Sequence, residues 1–132
     1  MIADLNYIVL LLHPLLGSAD YDDVWYLYEN VDPNNKNDLN EIIKREIIPY
    51  YNEINSLCQK NIKSSLVYYL HNDPYDLYYA FSSCLIAFSP PDDIRLFFSL
   101  IYENLYNDDW KAVSTNNIVI TDDISVRSRC LE

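Results

Sequence analysis

The chain has 132 residues with 20 acidic and 9 basic side chains, which gives a formal net charge of −11. We expect such a chain to repel nucleic acid and anionic membranes, because binding to either depends on lysine and arginine neutralising phosphate. Half of the residues are apolar and 14% are aromatic, which excludes an intrinsically disordered chain and favours one folded domain.

The single glycine of the chain, Gly17, favours helices, because hairpins and bulges usually need several glycines. In chain order, the pattern predicts helices near residues 3–13, 20–30, 39–48, 50–60, 63–71, 74–88 and 91–109. Three starts have capping residues, at Asp38-Leu39-Asn40-Glu41, Asp73-Pro74-Tyr75-Asp76 and Ser89-Pro90-Pro91-Asp92. Pro49 is expected to break or kink the chain between the third and fourth helices. The β-branched residues of segment 117–126 predict a short strand or an extended tail.

These elements predict an all-α fold, a compact single-domain bundle of about six or seven helices with a short extended or β-like C-terminal segment. Segment 74–88 is expected to be its central helix, because Asp76 is its one charged residue and a helix that is apolar nearly all round is a buried one. We place the domain at residues 1–130, and residues 131–132 resemble a cloning scar.

The compartment is expected to be the cytoplasm. The apolar run at 5–16 is too short to span a bilayer, and no basic region precedes it as in a signal peptide. The three cysteines, Cys58, Cys84 and Cys130, are odd in number and have no Cys-x-x-Cys spacing. This pattern favours reduced thiols over a disulfide framework or a zinc site.

Catalytic motifs are absent from the sequence. With one glycine there is no phosphate-binding loop, and the four Asp-Asp pairs are poor chelates because adjacent helical residues point in different directions. His13 and His71 lie at predicted helix ends, where a structural role is expected, and Cys84 lies in the most apolar segment. We therefore predict a protein that is not an enzyme and has no metal or cofactor. A hydrolase that uses Cys84 or His71 is the open alternative.

The 13 tyrosines are the notable excess, and many lie beside acids, as in SADYDDVWYLYEN at residues 18–30. AT-rich coding could explain their number but explains their clustering with acids less well. Tyrosine and tryptophan suit interfaces because they combine a rigid apolar body with a polar tip. The predicted partner-binding residues form two patches: Asp20, Asp22, Asp23, Tyr26 and Glu29, and then Tyr106, Asp108, Asp109 and Trp110.

The acidic balance and the stretches SADYDDVWYLYEN and YNDDW resemble those of bacterial immunity proteins, which neutralise bacteriocins and contact-dependent inhibition effectors. Such toxins are often basic nucleases, and their antidotes often mimic phosphate with Asp and Glu. The resemblance implies a cognate toxin as partner, covered at its active site or nucleic-acid groove, with no direct nucleic acid or membrane binding by the chain itself.

An alternative is a Bcl-2-like viral virulence factor that sequesters a host signalling protein. Amphipathic helices around a central helix at 74–88 are similar to that architecture. The Asn-Trp-Gly-Arg stretch usual in that family is absent from this sequence. An antidote would bind through an acidic face and a Bcl-2-like protein through an apolar groove, so salt dependence distinguishes the two.

Overall fold

A computed structural model describes residues 1–15 and 30–131, and most of them are helical. The helices are α1 (Leu5–Leu12), α2 (Lys36–Ile42), α3 (Ile48–Asn52), α4 (Ser56–His71), α5 (Tyr75–Ser83), α6 (Ile94–Leu105) and α7 (Val126–Cys130). Two short strands, β1 (Ile2–Asp4) and β2 (Val119–Thr121), pair in parallel, and 3-10 turns cover His13–Leu15 and Asp109–Lys111. The predicted all-α class is confirmed for this part of the chain. Most of the predicted helix at 20–30 lies outside it.

The N-terminal segment is a strand before it is a helix, and Asp4 marks the change. The Asp4 carboxylate caps α1 by accepting a hydrogen bond from the Asn6 backbone N–H at 2.9 Å. Its other oxygen accepts hydrogen bonds from the Thr121 hydroxyl at 2.7 Å and the Asp123 backbone N–H at 2.8 Å. These donors compensate for the complete burial of the carboxylate, and they tie β1 to the end of β2 and to the residues that follow it.

The chain passes Pro49 without the break that we predicted. A π turn, Ile43–Ile47, joins α2 to α3, and the Ile48 backbone N–H donates to the Ile43 carbonyl. Pro49 then lies in the first turn of α3, where a missing backbone N–H is tolerated because it needs no partner within the helix. The interruption comes later, at residues 53–55, so helix α4 begins at Ser56.

The longest helix is α4, which replaces the two helices predicted at 50–60 and 63–71. Eight of its 16 residues are buried, and it packs against β1, α1, α6 and α7. Asn55 caps it by accepting a hydrogen bond from the Cys58 backbone N–H at 3.0 Å. Together with α1, five of whose eight residues are buried, α4 forms the centre of the fold.

The central position that we predicted for segment 74–88 is wrong. Helix α5 ends at Ser83, because Cys84 adopts an extended conformation and the chain turns back over the core. The Ala87 backbone N–H donates to the Leu15 carbonyl at 3.2 Å, and the Phe88 ring packs edge-on against Phe81. The apolar residues after Ser83 are therefore buried by an irregular segment rather than by a longer helix.

The C-terminal segment confirms the strand predicted within 117–126 and adds helix α7, which we did not predict. β2 follows Asn117, whose positive φ of 66° turns the chain into the strand. Asn tolerates this left-handed conformation better than most other residues do. Helix α7 contacts α1 and α4, the same two helices that β1 contacts.

Candidate functional site

The first predicted patch falls outside the described part of the chain. Its members Asp20, Asp22, Asp23, Tyr26 and Glu29 all belong to residues 16–29. Their role at a partner surface therefore stays a prediction.

The second predicted patch lies at the end of α6, and the structure corrects the role of its aromatic members. Trp110 is only 9% exposed, and its carbonyl accepts a hydrogen bond of 2.6 Å from the His71 imidazole. Tyr106 is partly buried, and its hydroxyl donates to the Gln59 carbonyl at 3.2 Å. Both rings thus belong to the packing of the domain, and we no longer assign them as partner anchors. Asp108 and Asp109 are exposed, and their role at a partner surface stays a prediction.

A tyrosine cluster explains why the rings at the end of α6 are held inside. Tyr106 lies 5.0 Å from the Tyr102 ring and 5.8 Å from the Tyr51 ring, centroid to centroid. The fully buried Tyr102 donates its hydroxyl proton to an Asp109 carboxylate oxygen at 2.8 Å. Burial raises the pKa values of Tyr102 and Tyr106 well above their ordinary value, so both hydroxyls stay protonated donors. Asp109 therefore serves the fold through this bond.

Helix α5 presents the exposed aromatic surface that the sequence prediction missed. Tyr75 is 69% exposed and Tyr79 is 58% exposed, one turn apart on the same side of the helix. Leu85, just beyond the helix, is 73% exposed. The opposite side of α5 buries Leu77, Ala80 and Phe81. The spacing of these residues along the helix is the feature of the sequence that could have identified the exposed side of α5. It was missed because we assigned segment 74–88 to the interior as a whole.

Acidic residues lie in and next to helix α5. Asp73 and Asp76 lie in and just before the first turn of α5, where carboxylates are favoured by the free N–H groups. The Tyr78 hydroxyl donates to the Asp92 carbonyl at 2.6 Å and so holds that residue against the helix. Between His71 and Arg95 the sequence has four aspartates and no cationic residue. We call Asp73, Tyr75, Asp76, Tyr79 and Leu85 the α5 face.

Arg95 forms the edge of this acidic region. Its guanidinium donates to the Asn72 carbonyl, and within residues 1–15 and 30–131 it forms no ion pair with a carboxylate. The four aspartates near α5 are therefore not neutralised by a described basic side chain. The negative potential of this region is free to act on another molecule.

The residues considered for catalysis have structural partners. The Arg127 guanidinium donates to Nε2 of His13 at 2.9 Å, and burial together with this cation lowers the pKa of His13. His71 is held by the Trp110 carbonyl. Cys84, predicted in mid-helix, follows the last residue of α5, and burial raises the pKa of its thiol, which disfavours the reactive thiolate. Within the described ranges, no three His, Cys, Asp or Glu side chains form a group suited to a metal ion.

A disulfide between Cys58 and Cys130 overturns the prediction of three reduced thiols. The two Cα atoms are 5.6 Å apart, and the bond links α4 to α7. The Asn55 backbone N–H also donates to the Cys130 carbonyl at 3.1 Å, so the two helices are joined at the same place by a hydrogen bond. The cysteine pattern therefore no longer supports a cytosolic compartment, because disulfides are rare there.

No protein-family model, curated protein or solved structure gives a significant match to the chain. Across the part of the chain that the structure describes, no helix has the length and apolarity needed to cross a membrane.

Proposed function

We propose that the chain is an immunity protein that binds and neutralises a basic toxin, in the manner of a nuclease antidote. The observation that supports this most directly is the α5 face, where exposed Tyr75, Tyr79 and Leu85 lie among acids with no cation between His71 and Arg95. Exposed tyrosine beside unneutralised carboxylate is the combination that suits a desolvated anchor within an electrostatic rim.

The proposed mechanism is stoichiometric inhibition, without turnover. The net charge of −11 attracts a basic surface over a distance and speeds the encounter. Tyr75 and Tyr79 then bury their rings against the toxin, while Asp73 and Asp76 pair with its lysine or arginine side chains. The other predicted acids, Asp20, Asp22, Asp23, Glu29, Asp108 and Asp109, contribute to the same net negative charge.

The Bcl-2-like alternative has less support. It requires segment 74–88 to be a buried central helix beside an apolar groove, whereas α5 ends at Ser83 and exposes two tyrosines. A hydrolase built on Cys84 has less support too, because burial raises the pKa of its thiol, and the described hydrogen-bond partner of His71 is the Trp110 carbonyl rather than a nucleophile. We therefore retain the antidote as the proposed function.

Growth of bacteria that co-express this chain with the product of the adjacent gene in its source genome tests the proposal. We expect the neighbour alone to be lethal and the wild-type chain to restore growth. The triple variant Tyr75→Ser, Asp76→Asn, Tyr79→Ser should fail to restore growth, because it removes two anchors and one carboxylate from the α5 face. The variant Asp20→Asn, Asp22→Asn, Asp23→Asn tests the first predicted patch in the same way.

A matched control is Glu41→Gln with Ile124→Ser, which removes one exposed carboxylate and one side chain that is 91% exposed, both outside the α5 face. It should protect as well as the wild type. A neighbouring gene product that is harmless would contradict the antidote proposal. Protection by all variants would exclude both the α5 face and the first predicted patch from the interface. For a toxin that binds, the association rate should fall as ionic strength rises, whereas the dissociation rate should change little.

A further inference from the structure

A second surface of the molecule has the opposite charge character. A pocket of about 420 Å³ lies between α4, the N-terminal residue and the segment before β2. Its volume falls within the range of small-molecule sites in proteins. The lining residues are Met1, Leu57, Lys60, Asn61, Lys63, Ser64, Val67, Val113 and Ile118. None of them belongs to the α5 face.

The walls of this pocket are predominantly apolar. Leu57, Asn61, Ser64 and Val67 recur at helical spacing along one side of α4, and Leu57 remains 67% exposed at the surface. The Ser64 hydroxyl donates to the Ile2 carbonyl, and the Asn61 side chain donates to the Tyr7 hydroxyl at 2.9 Å. Because these polar groups are already partnered within the protein, the pocket offers mainly apolar contacts to a ligand.

The polar groups that remain for a ligand are cationic. Lys60 and Lys63 are two of only 9 basic residues in the chain, and both line this pocket. No carboxylate of residues 1–15 or 30–131 forms an ion pair with either one. Lys63 lies over the Tyr106 ring, 5.3 Å from its centroid, a contact that helps to fix its position.

The charged residues near the pocket determine where a charged ligand group is favoured. An adjoining pocket shares Leu57 and Asn61 and is lined by three carboxylates, Asp4, Asp122 and Asp123. Its one cationic side chain, Arg129, pairs with Asp123 at 2.7 Å. The two lysines do not line that second pocket. With three carboxylates and one paired guanidinium in the second pocket and two lysines in the first, an anionic group would favour the lysine side.

From this combination we infer that the pocket binds a small amphipathic carboxylate, such as a medium-chain fatty acid. Its alkyl chain contacts Leu57, Val67 and Val113, and its carboxylate lies beside Lys60 and Lys63. The site is independent of the α5 face, so it stands or falls separately from the antidote proposal.

Titration calorimetry of the full chain with octanoate and, separately, with octylamine tests this inference. Octanoate should bind saturably and more tightly than octylamine, although the net charge of −11 would favour the cation at a nonspecific surface. Lys60→Gln with Lys63→Gln should weaken octanoate binding about tenfold, as expected for two partly exposed ion pairs. The matched control, Lys36→Gln with Lys44→Gln, removes the same charge outside the pocket and should change the affinity less than about twofold.

A pocket-filling variant tests the location of the site. Val113→Trp should abolish octanoate binding, and circular dichroism with thermal unfolding should verify that this variant and the lysine variants remain folded. Equal or tighter binding of octylamine would overturn the inference. So would unchanged octanoate affinity in a folded Val113→Trp variant, or an equal loss in the two lysine pairs.

Discussion

Two regions of this domain combine tyrosine with aspartate and use the pair in different ways. At the end of α6, Tyr102 is fully buried and donates its hydroxyl to Asp109, which is a contact within the fold. On α5, Tyr75 and Tyr79 are exposed beside Asp76, and the side chains that reach the core are Leu77, Ala80 and Phe81. The same residue types thus stabilise the domain at one place and remain free for a partner at the other.

The difference follows from helical phase and from neighbouring elements. Tyr102 is one of the buried residues of α6, together with Phe98 and Ile101, and α6 packs against α4. Tyr75 and Tyr79 lie on the side of α5 opposite its buried residues. An acid next to a tyrosine in sequence therefore does not identify a surface patch until the buried side of the helix is known.

The largest expected effect is that of truncating a tyrosine in the buried cluster. Tyr102→Ala should lower the free energy of unfolding by about 4 kcal/mol, because it removes a fully buried ring and leaves a cavity. The matched exposed variant, Tyr79→Ala, should change it by less than about 0.5 kcal/mol. Urea unfolding followed by circular dichroism measures both. Equal effects of the two substitutions would contradict the distinction between the regions.

Alkaline pH should reveal a smaller effect of the buried tyrosine cluster on stability. Because the pKa of Tyr102 is raised in the folded state from an unfolded value of 10.0, its contribution to stability is present below pH 10.0 and declines as the pH rises further. Tyr102→Phe should cost about 1 kcal/mol at neutral pH through the lost hydrogen bond to Asp109. This deficit should shrink above pH 10.0, since phenylalanine cannot ionise in the unfolded chain.

The control for this titration is Asp109→Asn, which weakens the same hydrogen bond but keeps the ionisable ring. It should retain the alkaline loss of stability. Urea unfolding at a series of pH values provides the measurement. A deficit of Tyr102→Phe that stays constant across the alkaline range would show that ionisation of this tyrosine is not linked to folding.

Local signals in the sequence sufficed for the fold class and for the start of α5, whereas α2 begins three residues before its predicted start, with Asn35 as its cap, and α6 begins three residues after its own, with Asp93 as its cap. The scarcity of glycine predicted the mostly helical fold, and Asp73 lies at the start of α5, where its side chain accepts from the Tyr75 N–H. Pro49 misled the prediction because proline breaks a helix only beyond the first turn of that helix. The π turn ends at Ile47, so Pro49 lies in the first turn of α3.

The features that were missed depend on contacts distant in sequence. Cys58 and Cys130 are 72 positions apart, and only the packing of α7 on α4 brings them to bonding distance. Segment 84–93 likewise does not continue the helix. Its fold depends on the contacts of the Phe88 ring with Phe81 and Phe97. As a consequence α5 is short and has one exposed side. We therefore assign the candidate surface to the α5 face instead of the end of α6.

The smallest effect on stability should accompany the largest effect on partner binding. Tyr75→Ser with Tyr79→Ser should change the free energy of unfolding by less than about 0.5 kcal/mol, because both side chains are exposed. With the cognate toxin in surface plasmon resonance, the double variant should dissociate about 30-fold faster, which corresponds to about 2 kcal/mol for a lost aromatic anchor. Asp76→Asn should instead slow association about twofold at low salt and leave dissociation nearly unchanged, because a carboxylate at the rim acts mainly by long-range attraction. Opposite kinetic signatures for the aromatic and acidic members would separate anchoring from steering within one face. If neither variant alters the kinetics, the α5 face is excluded as the interface, and the residues predicted at 20–29, Asp108 and Asp109 become the remaining candidates.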